Sequence, residues 1–205
     1  MNQISSTDLP ESVIVQRLAE VEDNPQTWDY PAEIFSEPPR PAAVLIPLLL
    51  RNDCYHLLFT RRTGDLPEHS GQVAFPGGQA DNDDSSPEET ALREAYEEIG
   101  LKAKDVRILG RLNRIQTISN YLVTPVVSII PWPYPFRIAT QEVSRVFTIP
   151  MAWLADPTNH EIRQRTLPSP YAPVPVIYFN HYQDELLWGI SAQITLDLLK
   201  ALKLF

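Results

Sequence analysis

The distribution of apolar residues near the start of the chain predicts one helix and one β-hairpin. Residues 42–50 are continuously apolar and have the length of a buried strand, and residues 55–60 follow as a second strand. Because Asn52-Asp53 between them is a typical turn sequence, we expect the two strands to pair as a hairpin. Four apolar side chains upstream are spaced for one face of a helix over residues 10–21: Val13, Ile14, Leu18 and Val21.

The rest of the chain shows short apolar runs that predict alternating strands and helices. The predicted strands are 72–75, 106–112, 121–130, 143–149, 161–166 and 174–180. The predicted helices are 87–99, 151–155 and 191–202. Prolines and aromatic residues alternate over 131–136, which predicts an extended loop that either flanks a ligand or covers a sheet edge. This order, without regular βαβ units, predicts an α/β (α+β) fold with a mixed β-sheet packed between helices, an α/β/α sandwich.

The helix at 87–99 has recognisable signals at both ends. Ser86 is a candidate N-cap, Pro87 suits the first helical position, and Glu89 stands three residues after the cap, as in a capping box. Gly100 suits the left-handed residue that follows a helix. These signals predict a helix that begins at Pro87 and ends at Ile99.

Three glutamates share one side of this helix. With Glu94 at 0° and about 100° per residue, Glu97 and Glu98 fall within about 60° of it. Glu97 and Glu98 stand in the last turn, where the helix dipole disfavours anions by roughly 0.3–1 kcal/mol each. A hard cation such as Mg²⁺ or Mn²⁺ would relieve this repulsion, whereas the alternative is a solvated acidic face. We expect an apolar face on the opposite side, formed by Leu92, Ala95, Tyr96 and Ile99.

Composition narrows the class of protein. The chain has 205 residues, 43% of them hydrophobic, which predicts a domain at 41–205 preceded by an extension at 1–40. The net charge of −9 argues against nonspecific binding to nucleic acid or to an anionic membrane. Cys54 is the single cysteine, and there is no apolar stretch of signal or membrane-spanning type, so we expect a cytoplasmic protein.

Gly78 and the run Arg93-Glu94-Ala95-Tyr96-Glu97-Glu98-Ile99-Gly100-Leu101 resemble the Nudix box, G-x5-E-x7-R-E-U-x-E-E-x-G-U, where U is aliphatic. The second half of the box matches throughout. Asp84 stands where glutamate is usual, and eight residues rather than seven separate it from Arg93. The resemblance implies a Nudix-type fold, metal ligation by Glu94, Glu97, Glu98 and the carbonyl of Gly77, and a loop braced by an Arg93–Asp84 ion pair.

Two further segments resemble the coenzyme A pyrophosphatase branch of the Nudix hydrolases. One is Leu57-Leu58-Phe59-Thr60-Arg61-Arg62, followed by Leu66, Gly71, Val73 and Phe75-Pro76-Gly77-Gly78. The other is Leu187-Trp188-Gly189-Ile190-Ser191-Ala192. The likenesses extend over about residues 45–199. Pro67 departs from the pattern because many members have arginine there.

The resemblance implies which residues meet the substrate, with several alternatives left open. The candidate substrate-binding residues are Arg61, Arg62, Gly71 and Phe75. Either arginine could contact a phosphate through its planar guanidinium, or could be a surface arginine paired with a carboxylate. His69 is either a ligand or an exposed loop residue. Glu142 either binds metal or activates water, as a downstream acid does in many Nudix enzymes, or is an exposed structural glutamate.

The function implied by the resemblance is metal-dependent hydrolysis of the diphosphate of coenzyme A (CoA) to 3′,5′-ADP and 4′-phosphopantetheine, with Mg²⁺ or Mn²⁺ as cofactor. Glu94 and Glu142 are the candidate general bases. The alternatives are a hydrolase of another nucleoside diphosphate derivative, such as ADP-ribose or NADH, and a non-catalytic nucleotide-binding module. The expected partner is a small-molecule substrate, not nucleic acid or membrane, and the choice between a monomer and a homodimer stays open.

Overall fold

The structure is a computed structural model, and it describes residues 4, 8–21, 26–27, 34–35, 37–64, 71–167 and 171–204. The segment that contains Leu66, Pro67 and His69 lies outside the described residues.

The described residues form four α-helices and eleven strands. The helices are α1 (Glu11–Ala19), α2 (Pro87–Ile99), α3 (Met151–Leu154) and α4 (Gly189–Ala201). The strands are β1 (Gln26–Thr27), β2 (Arg40–Arg51), β3 (Cys54–Arg62), β4 (Val73–Ala74), β5 (Gly77–Gln79), β6 (Arg107–Arg111), β7 (Ile115–Gln116), β8 (Tyr121–Ile129), β9 (Val143–Pro150), β10 (His160–Arg165) and β11 (Val174–Phe179). The longer elements confirm the predicted ones to within about two residues at most ends, whereas β1, β5 and β7 were not predicted.

Strand β2 is the centre of the main sheet. It pairs antiparallel with β3 through the predicted hairpin, whose turn residues Asn52 and Asp53 have φ angles of 52° and 61°. It also pairs parallel with β8 along nine residues and antiparallel with the short strand β5. The sheet is therefore mixed, and β5 is held at its middle strand.

The two faces of β2 contact two separate layers of the core. Odd-numbered residues such as Ala43, Leu45 and Leu49 pack with the buried side of α2. Even-numbered residues such as Ile46 and Leu48 pack with α1, α3 and α4. This alternation follows from the two-residue repeat of a strand that is buried on both faces. The predicted fold, a mixed sheet packed between helices, is confirmed.

Helix α1 belongs to the core although it lies in the predicted extension. Ile14 and Leu18 are buried in the same cluster as the sheet, and Leu18 lies against Gly110 of β6. Its role as a packing helix is the one that its apolar spacing predicts. The boundary at residue 40 stays a prediction.

Strands β10 and β11 form a separate antiparallel sheet of two strands. Trp188, immediately before α4, makes a β-bridge with Tyr178 of β11, and the two rings stack at 5.4 Å with an interplanar angle of 10°. The start of α4 is thereby attached to the small sheet. Among the helices of the described residues, none has the length and apolar character that a membrane span requires.

Candidate active site

Helix α2 has the ends that the sequence predicts. The hydroxyl of Ser86 accepts a hydrogen bond from the backbone N–H of Glu89 at 3.3 Å. The Glu89 carboxylate reaches back and accepts from the N–H of Ser85 at 2.7 Å, one residue earlier than in the standard capping box. Gly100 has φ 69° and ends the helix in the left-handed conformation. These caps fix where the glutamates of the last two turns stand.

The buried face of α2 differs from the predicted one at two residues. Glu98 has only 3% of its surface exposed, whereas Tyr96 is 58% exposed. At about 100° per residue, the buried residues Ala91, Ala95 and Ile99 centre on a direction close to Glu98, and Tyr96 points away from it. The prediction of Tyr96 on the apolar face was therefore wrong, whereas Glu98 stays near Glu94 but is buried. One of the three glutamates lies inside the protein.

Glu98 is a buried carboxyl group with few partners. Its Oε1 lies 3.9 Å from Nη1 of Arg62, and its Oε2 is buried without a hydrogen-bond partner among the described residues. Burial raises the pKa of Glu98 to about 8, and Arg62 and a backbone hydrogen bond with Gly77 only partly oppose the rise. A buried acidic oxygen without a donor is what a cation would satisfy.

The carboxylate of Glu94 packs on the glycine-rich strand β5. A Cβ atom at Gly78 would lie 2.6 Å from Cδ of Glu94 and 2.7 Å from each of its oxygens. Because glycine has no Cβ atom, Gly78 lets the carboxylate of Glu94 pack directly on the backbone of β5. Burial raises the pKa of Glu94, and Glu97 and Glu142 contribute to the rise, while Arg93 opposes it.

Arg93 joins α2 to the loop before it, as the resemblance implied. Its Nη2 and Nε lie 2.9 and 3.2 Å from the two oxygens of Asp84, and Nη2 also donates to the carbonyl of Gln79 at 3.0 Å. These hydrogen bonds from Arg93 lower the pKa of Asp84 to about 2. The short side chain and the additional residue in the loop are therefore compatible with a bidentate pair.

Arg93 also holds two of the three glutamates. Its Nη1 lies 2.7 Å from Oε1 of Glu94 and 3.3 Å from Oε2 of Glu97, which is 53% exposed. The cation expected at this end of the helix is thus partly supplied by arginine. Within the described part of the chain, no three His, Cys, Asp or Glu side chains are already assembled for metal binding. The buried, unpartnered oxygen of Glu98 nevertheless fits a metal ion, because it needs a cation that Arg93 does not provide.

The loop at 131–142, rich in proline and aromatic residues at its start, covers the end of α2. Tyr134 and Phe136 pack with the α2 side of the core. The N–H groups of Arg137 and Ala139 donate to the carbonyls of Ile99 and Glu98, both at 2.9 Å. The loop then brings Glu142, which is exposed, close enough to raise the pKa values of both Glu94 and Glu98. The loop was predicted either to flank a ligand or to cover a sheet edge. It has a covering role, but it covers the end of a helix rather than the edge of a sheet.

A cavity of about 470 Å³ opens beside the glutamates. One wall is formed by β3 to β5 and contains Arg62, Phe75, Gly77 and Gly78. The second wall is the segment from Gln116 to Tyr121, and the third comes from β10, β11 and the start of α4. The sequence did not predict that the last two walls belong to the site. The second wall contains no recognisable motif, and the third contains only the Trp188-Gly189 segment.

The predicted substrate-binding residues divide into two groups. Arg62 and Phe75 line the cavity. Arg61 is on the opposite side of β3, where it lies 3.5 Å from the buried carboxylate of Glu185. Gly71 lies in a turn where its N–H donates to the carbonyl of Thr63 at 3.2 Å, and it does not line the cavity. For Arg61, the alternative of a carboxylate-paired arginine is the one observed.

The chain is similar to known proteins in sequence and in fold. The sequence model of the NUDIX domain matches residues 39–168. Proteins named "uncharacterized Nudix hydrolase NudL" from Yersinia pestis (strain Pestoides F) and Yersinia pseudotuberculosis (serotype O:3, strain YPIII) are each 40% identical over 168 residues, which cover 78% of this chain and 78% of the relative. A solved structure of a MutT/nudix family protein from Enterococcus faecalis matches 84% of this chain and 64% of its own, with a TM-score of 0.51 and 16% identity, and so shares the fold.

Proposed function

The chain belongs to the NUDIX family of hydrolases, which act on diphosphate bonds, and on this premise we propose that its substrate is coenzyme A or a CoA derivative. The products are then 3′,5′-ADP and 4′-phosphopantetheine, or its acylated form.

One observation carries the choice of substrate. The two segments that resemble the CoA pyrophosphatase branch are more than a hundred residues apart in sequence, yet both line the same cavity. Arg62 and Phe75 come from the first segment, and Trp188 and Ser191 come from the second. Residues that share only a structural role have no reason to meet at one cavity beside the glutamates. Their convergence supports a common ligand of the kind that the branch cleaves.

The glutamates of α2 supply the oxygen ligands for a divalent cation. Glu94, Glu97, Glu98 and the carbonyl of Gly77 would hold Mg²⁺ or Mn²⁺, which are hard ions that prefer oxygen ligands. Such an ion supplies Lewis-acid polarisation of the diphosphate and lowers the pKa of a bound water. Retention of all three glutamates favours an enzyme over a non-catalytic binding module.

Other residues of the chain act on the substrate and the water. Arg62 lines the cavity next to Glu98 and can neutralise a phosphate oxygen, for which its guanidinium is suited. Glu94, which is half-buried, and Glu142, which is exposed, are the two candidates for the base that removes the proton of the water. Arg93 keeps the loop that starts α2 in place through Asp84 and so fixes the position of the base and the ligands.

Mass spectrometry of reaction products tests the proposal. The purified chain is incubated with Mg²⁺ or Mn²⁺ and with CoA, acetyl-CoA, ADP-ribose, NADH and nucleoside triphosphates in parallel. We expect CoA or its thioester to have the highest kcat/KM and to give 3′,5′-ADP as a product. Faster cleavage of ADP-ribose or NADH than of every CoA species would contradict the proposal.

A further inference from the structure

A second cationic side chain lines the cavity, on a different strand from Arg62. Among the described residues that line the cavity, two are charged: Arg62 from β3 and Arg165 from β10. The other lining residues are apolar or neutral. In a chain of net charge −9, two arginines in a cavity lining without an acidic residue indicate that the cavity suits an anion.

Arg165 differs from the two arginines of β3 in its partners. Arg62 faces the carboxyl group of Glu98, and Arg61 faces that of Glu185 outside the cavity. Arg165 makes no ion pair with any carboxylate in the described part of the chain, and its guanidinium carbon lies 6.0 Å from the ring centre of Trp188. Its positive charge is therefore available to a ligand, whereas the charges of the other two are already partly compensated.

The surroundings of Arg165 suit a nucleotide. The indole of Trp188 lines the cavity and is held from behind by its stack on Tyr178, so it presents a rigid aromatic wall. The first turn of α4, which follows Trp188 and lines the same wall, contains no acidic side chain. A planar base and a phosphate group thus find an aromatic surface and an unpaired guanidinium side by side.

We propose that Arg165 is the specificity residue that reads the 3′-phosphate of the adenosine end of CoA, with Trp188 as the wall that its base contacts. This inference rests on the proposed function, since the 3′-phosphate distinguishes CoA from other nucleoside diphosphate derivatives. The sequence suggested Arg61 or Arg62 for contact with a phosphate, and this inference adds Arg165 as a further contact. Arg62, which lies beside Glu98, is then the arginine that contacts the diphosphate.

Kinetics on a matched pair of substrates test this assignment. CoA and dephospho-CoA differ only in the 3′-phosphate, so the ratio of their kcat/KM values isolates its recognition. We expect the unaltered chain to prefer CoA by about ten- to a hundredfold, the range for one charge-assisted contact. Arg165→Gln should lower kcat/KM for CoA by the same factor and leave dephospho-CoA within about threefold. Arg165→Lys should keep part of the preference, because it keeps the charge without the planar fork.

Arg163→Gln is the control variant. Arg163 lies on the same strand, pairs with Glu161 at 2.7 Å and contacts the ring of Tyr178 rather than the cavity. Because Trp188 keeps its own stack and bridge to Tyr178 without Arg163, the preference for CoA should be unchanged. Circular dichroism and thermal unfolding verify that each variant is folded. Equal loss with both substrates in Arg165→Gln, or no preference in the unaltered chain, would overturn this inference while CoA cleavage itself stands. If neither substrate is cleaved but ADP-ribose is, the proposed function fails and the inference fails with it.

Discussion

The carboxylate of Glu94 lies directly against Gly78, so that a Cβ atom at position 78 would stand 2.7 Å from both of its oxygens. The contact involves the flexible end of a side chain rather than backbone. A substituent at position 78 therefore moves Glu94 and leaves the strand where it is.

Gly78→Ala should reduce activity much more than stability. We expect a loss of at least about tenfold in kcat with Mg²⁺, which is about 1.4 kcal/mol of transition-state stabilisation, because Glu94 is displaced. The free energy of unfolding, from urea titration, should change by less than about 1 kcal/mol. Gly64→Ala serves as the control, since a Cβ atom there would have no neighbour within 4 Å. Normal activity of Gly78→Ala would show that the position of Glu94 is not critical.

Gly77→Ala should lower the stability of the chain more than Gly78→Ala does. A Cβ atom at Gly77 would lie 2.6 Å from Cα of Val44 and would also clash with the carbonyl oxygen of Ala43, both in the backbone of β2. Backbone at the central strand cannot yield easily, so we expect a loss of about 1–3 kcal/mol in the free energy of unfolding. Urea titration beside Gly78→Ala provides the comparison. If Gly77→Ala were as stable as Gly78→Ala, the close pairing of β5 with β2 would be refuted.

The helix and hairpin were predictable because their signals are local. Ser86, Pro87 and Gly100 determine the ends of α2 through their own backbone preferences, and Asn52-Asp53 determines the hairpin turn. The burial of Glu98 was not predictable, because it depends on which side of α2 the sheet covers. A helical wheel gives relative directions only, and Tyr96 was wrongly counted with the core.

The composition of the cavity was still less accessible to sequence analysis. Arg62 and Phe75 belong to a recognisable segment, and both were predicted. Arg165 lies on the exposed strand β10 and is one of two arginines there, so nothing local distinguishes it from Arg163. The contacts of β11 with the segment before α4, among them the bridge between Trp188 and Tyr178 and the hydrogen bond from the N–H of Phe179 to the carbonyl of Leu187, bring that sheet to the site. Such a contact between distant segments is set by tertiary packing.

The Asp84–Arg93 pair should contribute to stability in a pH-dependent way. The pKa of Asp84 is lowered from 3.8 to about 2 in the folded chain, so the ionised form is favoured by folding. Its contribution is fully present above about pH 4 and is lost as the pH falls toward 2. Asp84→Asn should therefore lower the free energy of unfolding by about 1–3 kcal/mol at pH 6, and less at pH 3. Urea titrations at both values measure the difference.

Asp81→Asn is the matched control for that experiment. Asp81 lies 3.6 Å from Arg93 but is 68% exposed, so its pairing contributes little. An effect of Asp84→Asn that is the same at both pH values, or no greater than that of Asp81→Asn, would contradict the role of the partly buried Asp84–Arg93 pair.

Asp197 in α4 should destabilise the chain at neutral pH. Its Oδ1 accepts from Gln193 at 2.7 Å, while its Oδ2 is buried without a partner among the described residues, and burial raises its pKa. The ionised form is thus disfavoured by folding, and the cost grows as the pH rises above about 4. Asp197→Asn should raise the unfolding temperature at pH 7 by a few degrees, about 1 kcal/mol, with no gain near pH 4. Thermal unfolding that shows no gain at pH 7 would refute this account.

The proposed metal ligands are tested by removal of one charge at a time. Glu97→Gln and Glu98→Gln should each reduce turnover with Mg²⁺ or Mn²⁺ by at least about a hundredfold, because the ion carries several kcal/mol of transition-state stabilisation. The fold should persist in both, since each glutamine has nearly the shape of the glutamate. Glu88→Gln is the control. Glu88 lies in the first turn of the same helix, where it pairs with Arg111 of β6, and it does not line the cavity.

The most direct test is the rate at which 3′,5′-ADP and 4′-phosphopantetheine form from CoA in the presence of Mg²⁺, quantified by mass spectrometry for the unaltered chain and for Glu98→Gln. We predict metal-dependent formation of both products in equal amounts by the unaltered chain, and a rate lower by at least about a hundredfold in the variant. Intact CoA after incubation with the unaltered chain, or near-normal rates in Glu98→Gln, would contradict the assignment of a CoA diphosphatase whose buried carboxylate holds the metal.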